Sequence, residues 1–107
     1  MNIDHLPEVY SRFRAAFPDV VGAIDAGGAA SDTAGPLSEK ERRLVKLGIA
    51  VGAQAPGAVR SNVRRAVAAG ATKAEILHVV ALGAATVGLS ATVAAYGWVM
   101  AVFETTE

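Results

Sequence analysis

The stretch that decides the fold runs from Asn62 to Ile76 and reads NVRRAVAAGATKAEI. Valine and alanine recur in its first half at helical spacing, and Gly70 follows as the residue type that most often ends a helix. Thr72 and Glu75 then have the spacing of a capping box, in which each side chain accepts a hydrogen bond from the other residue's backbone amide. The stretch therefore predicts two consecutive helices joined by a tight turn.

A second capping box precedes this stretch. Ser38 is followed three residues later by Glu41, and Leu37 before it can pack as a hydrophobic staple. The helix that follows carries its charges in its first half, whereas residues 47–53 have none. We therefore expect the second half of this helix to be buried on every side.

The same signals place the remaining helices. An amphipathic pattern predicts a helix from Leu6 to Phe17, and a second short helix fits Val20 to Ala26. The small and polar residues from Gly27 to Pro36 predict a loop. Pro56 suits the start of a helix that continues to about Ala69, and a last helix is expected from about Ser90 to Phe103.

No strand-like alternation interrupts these helices. The sequence therefore predicts an all-α bundle of about five to six helices. Its 107 residues suit a single domain, in which residues 1–36 form an N-terminal helical arm and loop and residues 37–107 form the helical core.

The composition indicates that the chain assembles with copies of itself. Hydrophobic residues make up 52% of it and charged residues only 19%, which is more apolar surface than a small domain can bury alone. The uncharged run from Val79 to Phe103 is long enough to cross a bilayer. Gly83 and Gly88 interrupt that run, so two helices buried in an oligomer explain it better, and we expect no membrane insertion.

Charge and residue types exclude several functions. Ten basic and ten acidic residues cancel, which argues against nucleic acid as a partner. The chain has no cysteine, so a disulfide, a thiolate nucleophile or a thiolate metal ligand cannot form. The start of the chain lacks a signal-peptide pattern, and we expect a cytoplasmic protein. No metal or cofactor is expected, because two distant histidines show no ligand spacing and the Gly27-Gly28 segment lacks a phosphate-loop pattern.

Two runs carry a family resemblance. Leu37–Val45 (LSEKERRLV) and Asn62–Ile76 together resemble the carboxymuconolactone decarboxylase (AhpD-like) family, which shows a His-x-Arg-Arg-Ala-x-x-Ala-Gly-x-Thr-x-x-Glu run at the second place. The resemblance implies an all-helical fold assembled as a homotrimer or homohexamer, with sites near the subunit contacts.

The departures from that family bear directly on chemistry. Its thiol branch uses a Cys-x-x-Cys pair, a histidine four residues later and an upstream glutamate, and these places are Ala55, Ala58, Asn62 and Arg43 here. Peroxide reduction by that route needs a thiolate, so we expect no thiol peroxidase activity. The decarboxylase branch resembles this chain in needing no cysteine, but it carries the histidine that Asn62 replaces.

Four residues remain as candidates for a site. His78 and Asn62 are the candidate catalytic residues, with His78 as proton carrier and Asn62 orienting the substrate. Arg60 and Arg64, four residues apart, are the candidate substrate-binding pair for the carboxylate of a small organic acid. The alternatives are a half-buried structural histidine and, for the arginines, a solvated face or intersubunit salt bridges. Two functions thus stay open, a decarboxylase-type enzyme and an oligomeric module that has lost catalysis.

Overall fold

A computed structural model of the chain describes residues 5–105, and the side chains of residues 8–105. Six helices and no strand are found in this part of the chain. The helices are α1 (His5–Ala16), α2 (Pro18–Asp32), α3 (Glu39–Gly52), α4 (Pro56–Ala68), α5 (Lys73–Leu82) and α6 (Leu89–Thr105). The prediction of an all-α fold is confirmed.

The helices divide into two compact units, Met1–Pro36 and Leu37–Glu107. In the first unit, which we call the arm, α1 and α2 contact each other. Arg14 on α1 forms an ion pair with Asp25 on α2 at 2.8 Å, and both side chains are about half exposed. Of the side chains described between residues 8 and 36, only Val21 is buried.

The predicted loop from Gly27 to Pro36 is wrong over its first six residues, because α2 continues to Asp32. Glycine in a helix interior costs roughly 1 kcal/mol relative to alanine, but it does not forbid the helical conformation. Ala29 and Ala30 favour helix, and the Ser31 hydroxyl donates a hydrogen bond to the Gly28 carbonyl at 2.8 Å. The helix therefore passes through the glycine pair and ends in the turn before Pro36.

The second unit, which we call the core unit, starts two of its helices with the predicted capping boxes. The Ser38 amide donates to Glu41 Oε1 at 2.8 Å, and the Glu41 amide donates to Ser38 Oγ at 3.2 Å. The Thr72 amide donates to Glu75 Oε1 at 2.8 Å, and the Glu75 amide donates to Thr72 Oγ1 at 3.1 Å. Lys40 Nζ lies 2.8 Å from Glu75 Oε2 and so joins the first turns of α3 and α5.

The hydrophobic core of this unit forms around α4, which contacts both α3 and α6 extensively. Five of its side chains are almost completely shielded from solvent: Leu47, Val59, Val63, Ile76 and Val99. Trp98 and Phe103 pack against this core from α6. Core residues thus come from all four helices of the unit, and they hold the flanks of α4 in place.

Two expectations about apolar stretches have different outcomes. The expectation that the second half of α3 is buried on every side is wrong, because Ile49 is 66% exposed while Leu47 and Val51 are buried. The uncharged run from Val79 to Phe103 forms two helices, α5 and α6, and Gly88 in the turn between them has a φ of +95°. No helix within residues 5–105 has the length and hydropathy needed to cross a membrane.

Candidate functional site

Three of the four candidate residues lie on α4. This helix begins at Pro56, and Ala55 before it provides no side-chain cap. Arg60, Asn62 and Arg64 follow within its next two turns, whereas His78 lies on α5. Because α4 contacts both α3 and α6, a wide arc of its surface is covered, and its side chains meet very different surroundings.

Arg60 is buried, with 6% of its surface exposed, so the alternative of a solvated face is wrong for this arginine. The apolar Val67 on the same helix is 48% exposed. Helical periodicity in the sequence indicates which side of α4 faces the core, but not how much of the helix surface the neighbouring helices cover. Arg60 lies within the covered part, beside the buried Val59 and Val63. Charged side chains are almost never so buried without a partner.

No hydrogen bond or ion pair links the Arg60 side chain to any residue in the described part of the chain. None of its guanidinium nitrogens is completely shielded from solvent without a hydrogen-bond partner. The donors of the Arg60 guanidinium therefore have no partner among the described residues.

Arg64 lies one helical turn after Arg60 and is exposed. Side chains four residues apart on a helix are neighbours, so the two arginines lie along one edge of α4. Water screens the exposed charge, which makes Arg64 a weaker anion holder than its buried neighbour.

Asn62 is half-buried on the other flank of α4. Its Nδ2 donates a hydrogen bond to the Ala58 carbonyl at 2.9 Å, one turn earlier on the same helix. This bond occupies one of the two amide hydrogens and leaves the side-chain oxygen as an acceptor. An amide side chain does not titrate near neutral pH, so Asn62 can orient a group but cannot act as a general acid or base.

His78 is exposed on α5, on the side away from the buried Ile76 and Val80. It is not half-buried, as the structural alternative supposed. Among the described residues, no hydrogen bond joins it to Asn62, Arg60 or Arg64. The catalytic role of His78 stays a prediction, and on this exposed face it would need a substrate held at the protein surface.

A groove with a volume of about 410 Å³ lies between α3 and α5, and it was not predicted from the sequence. Its lining is apolar except for Thr86, whose hydroxyl donates to the Leu82 carbonyl at 3.1 Å. None of the four candidate residues lines it, and it offers no charged group for acid–base chemistry. Gly48 and Gly52 on α3 and Gly83 directly after α5 line it, so small residues at these places were the signal that could have revealed it.

Comparison with known proteins identifies the fold. The model of the carboxymuconolactone decarboxylase family matches residues 18–101. The chain belongs to this family. The crystal structure of the apo form of a carboxymuconolactone decarboxylase family protein from Legionella pneumophila is similar, with a TM-score of 0.83. It is 21% identical in sequence, and the match covers 97% of this chain and 93% of that one. None of the curated proteins matches the chain.

Because the chain belongs to this family, the residues that replace its catalytic groups can be located in the structure. In this cysteine-less carboxymuconolactone decarboxylase family protein, Ala55 directly before α4 and Ala58 on α4 have methyl groups at the places where the family resemblance puts the two cysteines of the thiol branch. Asn62, in place of the histidine, is bonded to the Ala58 carbonyl. Within residues 5–105, no three histidine or carboxylate side chains come together to hold a metal ion. The charged side chains described on α4 are its arginines, and Asn62 adds an uncharged acceptor.

Proposed function

We propose that this chain is a self-assembling carboxymuconolactone decarboxylase family protein that has no thiol peroxidase chemistry and whose inherited catalytic position is degenerate. The observation that carries the proposal is the state of that position on α4. Two alanines and an asparagine bonded to its own helix replace the groups that move electrons and protons. A site with these side chains can bind or orient a molecule, but it cannot supply a nucleophile or a proton.

Exposed apolar side chains support the self-assembly. The described part of the chain exposes fourteen large hydrophobic residues, eight of them in the core unit. Single exposed apolar residues are ordinary on protein surfaces, but large apolar patches mark interaction sites. Assembly as a homotrimer or homohexamer would cover Ile49, Leu82 and Leu89, which are each more than 60% exposed.

The catalytic part of the proposal is tested by a turnover assay. Purified protein is incubated with small carboxylic and lactone acids, and carbon dioxide release is measured. We expect no release above background from the wild-type chain. Asn62→His restores a titratable group at the family position, and a gain of activity in this variant alone would support the degenerate reading. Clear wild-type turnover would contradict it.

A second function, a cofactor-independent decarboxylase acting on a small carboxylic acid, is favoured by one observation, the buried Arg60, whose side chain has no hydrogen-bond or ion-pair partner among the described residues. In this reading Arg60 and Arg64 hold the acid and Asn62 orients it. Loss of carbon dioxide leaves an electron pair on carbon, and His78 in its protonated form delivers the proton that this carbon needs. The exposure of His78 counts against this route, because an exposed site does not exclude water.

The two functions differ in their response to His78→Ala. A decarboxylase that depends on His78 loses turnover while its helical content and mass stay unchanged. If wild-type activity exists and survives His78→Ala, His78 is not the proton carrier. Because His78 is exposed, we expect His78→Ala to leave the fold unchanged, so a loss of turnover reports on the role of the imidazole.

A further inference from the structure

We infer that α1 of one copy docks in the groove between α3 and α5 of a second copy, so that each chain contributes a helix to its neighbour. The inference deepens the proposed function, since it rests on the self-assembly proposed above and names the two surfaces that meet. It starts from two apolar surfaces that stay exposed in the single chain, one in the arm and one in the core unit.

The surface in the arm is the apolar side of α1. Val9, Phe13 and Phe17 recur at every fourth position along α1 and the residue after it, and each is about half exposed. The centroids of the Phe13 and Phe17 rings lie 5.3 Å apart, so the two rings form one exposed aromatic pair. A helix with apolar residues at this spacing is the kind that lies in an apolar groove of a partner protein.

The surface in the core unit is the groove itself, whose lining is apolar apart from Thr86. Val45 on α3 and Leu82 on α5 line it, and both are at least half exposed. At Gly48 and Gly52 no side chain separates the α3 backbone from the groove, so an incoming helix can approach that backbone closely. The groove therefore offers an apolar helix both contact area and room.

The distribution of charge identifies the occupant. Residues 1–36 contain two basic and five acidic residues, a net charge of −3, whereas residues 37–107 contain eight basic and five acidic residues, a net charge of +3. Two arms therefore repel each other, and so do two core units, but an arm and a core unit attract. Four of the basic residues lie in the first half of α3, next to the groove residues Leu44 and Val45: Lys40, Arg42, Arg43 and Lys46.

This contact joins two different surfaces, and that agrees with the assembly proposed above. A contact of this heterologous type, repeated from copy to copy, closes into a ring when the rotation between copies allows it. A homotrimer is a ring of this kind, and a homohexamer can be built from two such rings. A pairing of arm with arm would instead give a two-fold dimer.

The test uses the absence of cysteine from the chain, which makes every introduced thiol unique. A tagged protein has Ala16→Cys, three residues after Phe13 on α1, and an untagged protein has Val45→Cys in the groove. Both positions are exposed. The two proteins are co-expressed, and a short bis-maleimide links thiols that lie close together. We expect a product that joins one tagged and one untagged chain, and little product from either variant expressed alone.

Matched controls place the cysteine away from the two surfaces. Val93→Cys on α6 is exposed like Val45 but does not line the groove, and Ser11→Cys lies on the polar side of α1. Val93→Cys with Ala16→Cys, and Ser11→Cys with Val45→Cys, should each give about tenfold less mixed product, because only thiols held close react at a high effective concentration. Equal yields, or a main product from Ala16→Cys alone, would overturn the inference. So would a link that forms only within one chain when Ala16→Cys and Val45→Cys are combined in it.

Light scattering distinguishes failure of this inference from failure of the proposed function. A monomeric wild type means that the self-assembly proposed above fails. A wild type that assembles but gives no mixed product means that the inference alone is wrong. Gly48→Leu fills the groove and should shift the mass toward the monomer with unchanged helical content, whereas Gly57→Leu, at an open and exposed position of α4, should keep the wild-type mass. Full assembly of Gly48→Leu, or equal loss of assembly in both variants, would contradict docking in the groove.

Discussion

The arm and the core unit are both helical, but their helices are stabilised in different ways. In the core unit, α3 and α5 begin with complete capping boxes, and twelve hydrophobic residues form a buried cluster. In the arm, α2 begins after Phe17 without a side-chain cap, and of the side chains described there only Val21 is buried. Helices of this length are marginal in water unless an apolar face is packed.

In the core unit, helices with capping boxes also bury apolar side chains. In the arm, α2 has neither a side-chain cap nor more than one buried side chain among those described. Six large hydrophobic residues are exposed among the side chains described in the arm, and Phe13, Phe17 and Ile24 are three of them. They contribute little to the fold of the arm by itself, so they are available for contacts with other surfaces. The core unit also exposes large hydrophobic residues, but it has in addition a buried cluster on which core substitutions act.

The largest expected difference between the two regions is in the free energy of unfolding that is lost when an isoleucine is replaced by alanine. Ile76 in the core unit is fully buried, whereas Ile24 in the arm is 67% exposed. Ile76→Ala should lower the free energy of unfolding by about 2–5 kcal/mol, because it removes buried methyl groups and leaves a cavity. Ile24→Ala should change it by less than about 0.5 kcal/mol. Urea unfolding at one fixed protein concentration measures both, and equal losses would contradict the comparison.

The second prediction concerns the cap of α5. Thr72→Ala removes the hydroxyl that accepts the Glu75 amide, and we expect a loss of about 1 kcal/mol. Thr33→Ala is the matched control, because Thr33 in the arm is exposed and its hydroxyl donates to the Ala30 carbonyl after α2 has ended. If Thr33→Ala lost as much stability as Thr72→Ala, the loss at Thr72 could not be assigned to the capping box.

The third prediction tests the helix that replaces the expected loop. Gly27 lies inside α2, and a Cβ atom added there would meet nothing within 4 Å. Gly27→Ala should therefore raise the stability of the arm by about 0.5–1 kcal/mol through helix propensity and the entropy of the unfolded chain. Hydrogen exchange of the α2 amides measures this locally. Unchanged or faster exchange after the substitution would favour the loop.

The smallest expected effect is a dependence on pH. Lys40 and the Thr72 amide lower the pKa of Glu75, with the hydrogen bond from Lys40 as the largest cause. This contribution to stability is present above the unfolded pKa of about 4.3, and it is lost as the pH falls through the lowered folded pKa. Glu75→Gln can keep the capping box, since glutamine also serves at this position.

The stability difference between wild type and Glu75→Gln should therefore shrink as the pH is lowered from 7 to 3. Lys40→Met removes the same ion pair from the other side and should reproduce the part due to Lys40. Thermal unfolding across this pH range is the measurement. A difference that stays constant with pH would mean that the Glu75 charge is not involved.

Helix boundaries could be predicted from the sequence in the core unit better than in the arm. The starts of α3 and α5 could be predicted to the residue, because Ser38 and Thr72 form short-range capping boxes that need no tertiary information. The extent of α2 could not, because glycine and alanine in a row give no decisive local preference. Local propensity decides where strong caps are present, and it fails where the segment has none.

The candidate site was less predictable than the fold. The loss of the family's thiol and histidine groups is visible in the sequence itself, at Ala55, Ala58 and Asn62. The burial of Arg60 and the exposure of His78 depend on which neighbouring helices cover α4 and α5, and periodicity alone does not give that. The site roles of His78, Asn62, Arg60 and Arg64 and the cytoplasmic location remain predictions.

Self-assembly is the central claim, and the mass of the protein in detergent-free buffer tests it most directly. Size exclusion with light scattering should give one sharp species of three or six chain masses, because the exposed apolar residues of both regions need covering. A monodisperse monomer at micromolar concentration would contradict the claim, since the exposed apolar surface would then be tolerated by the single chain.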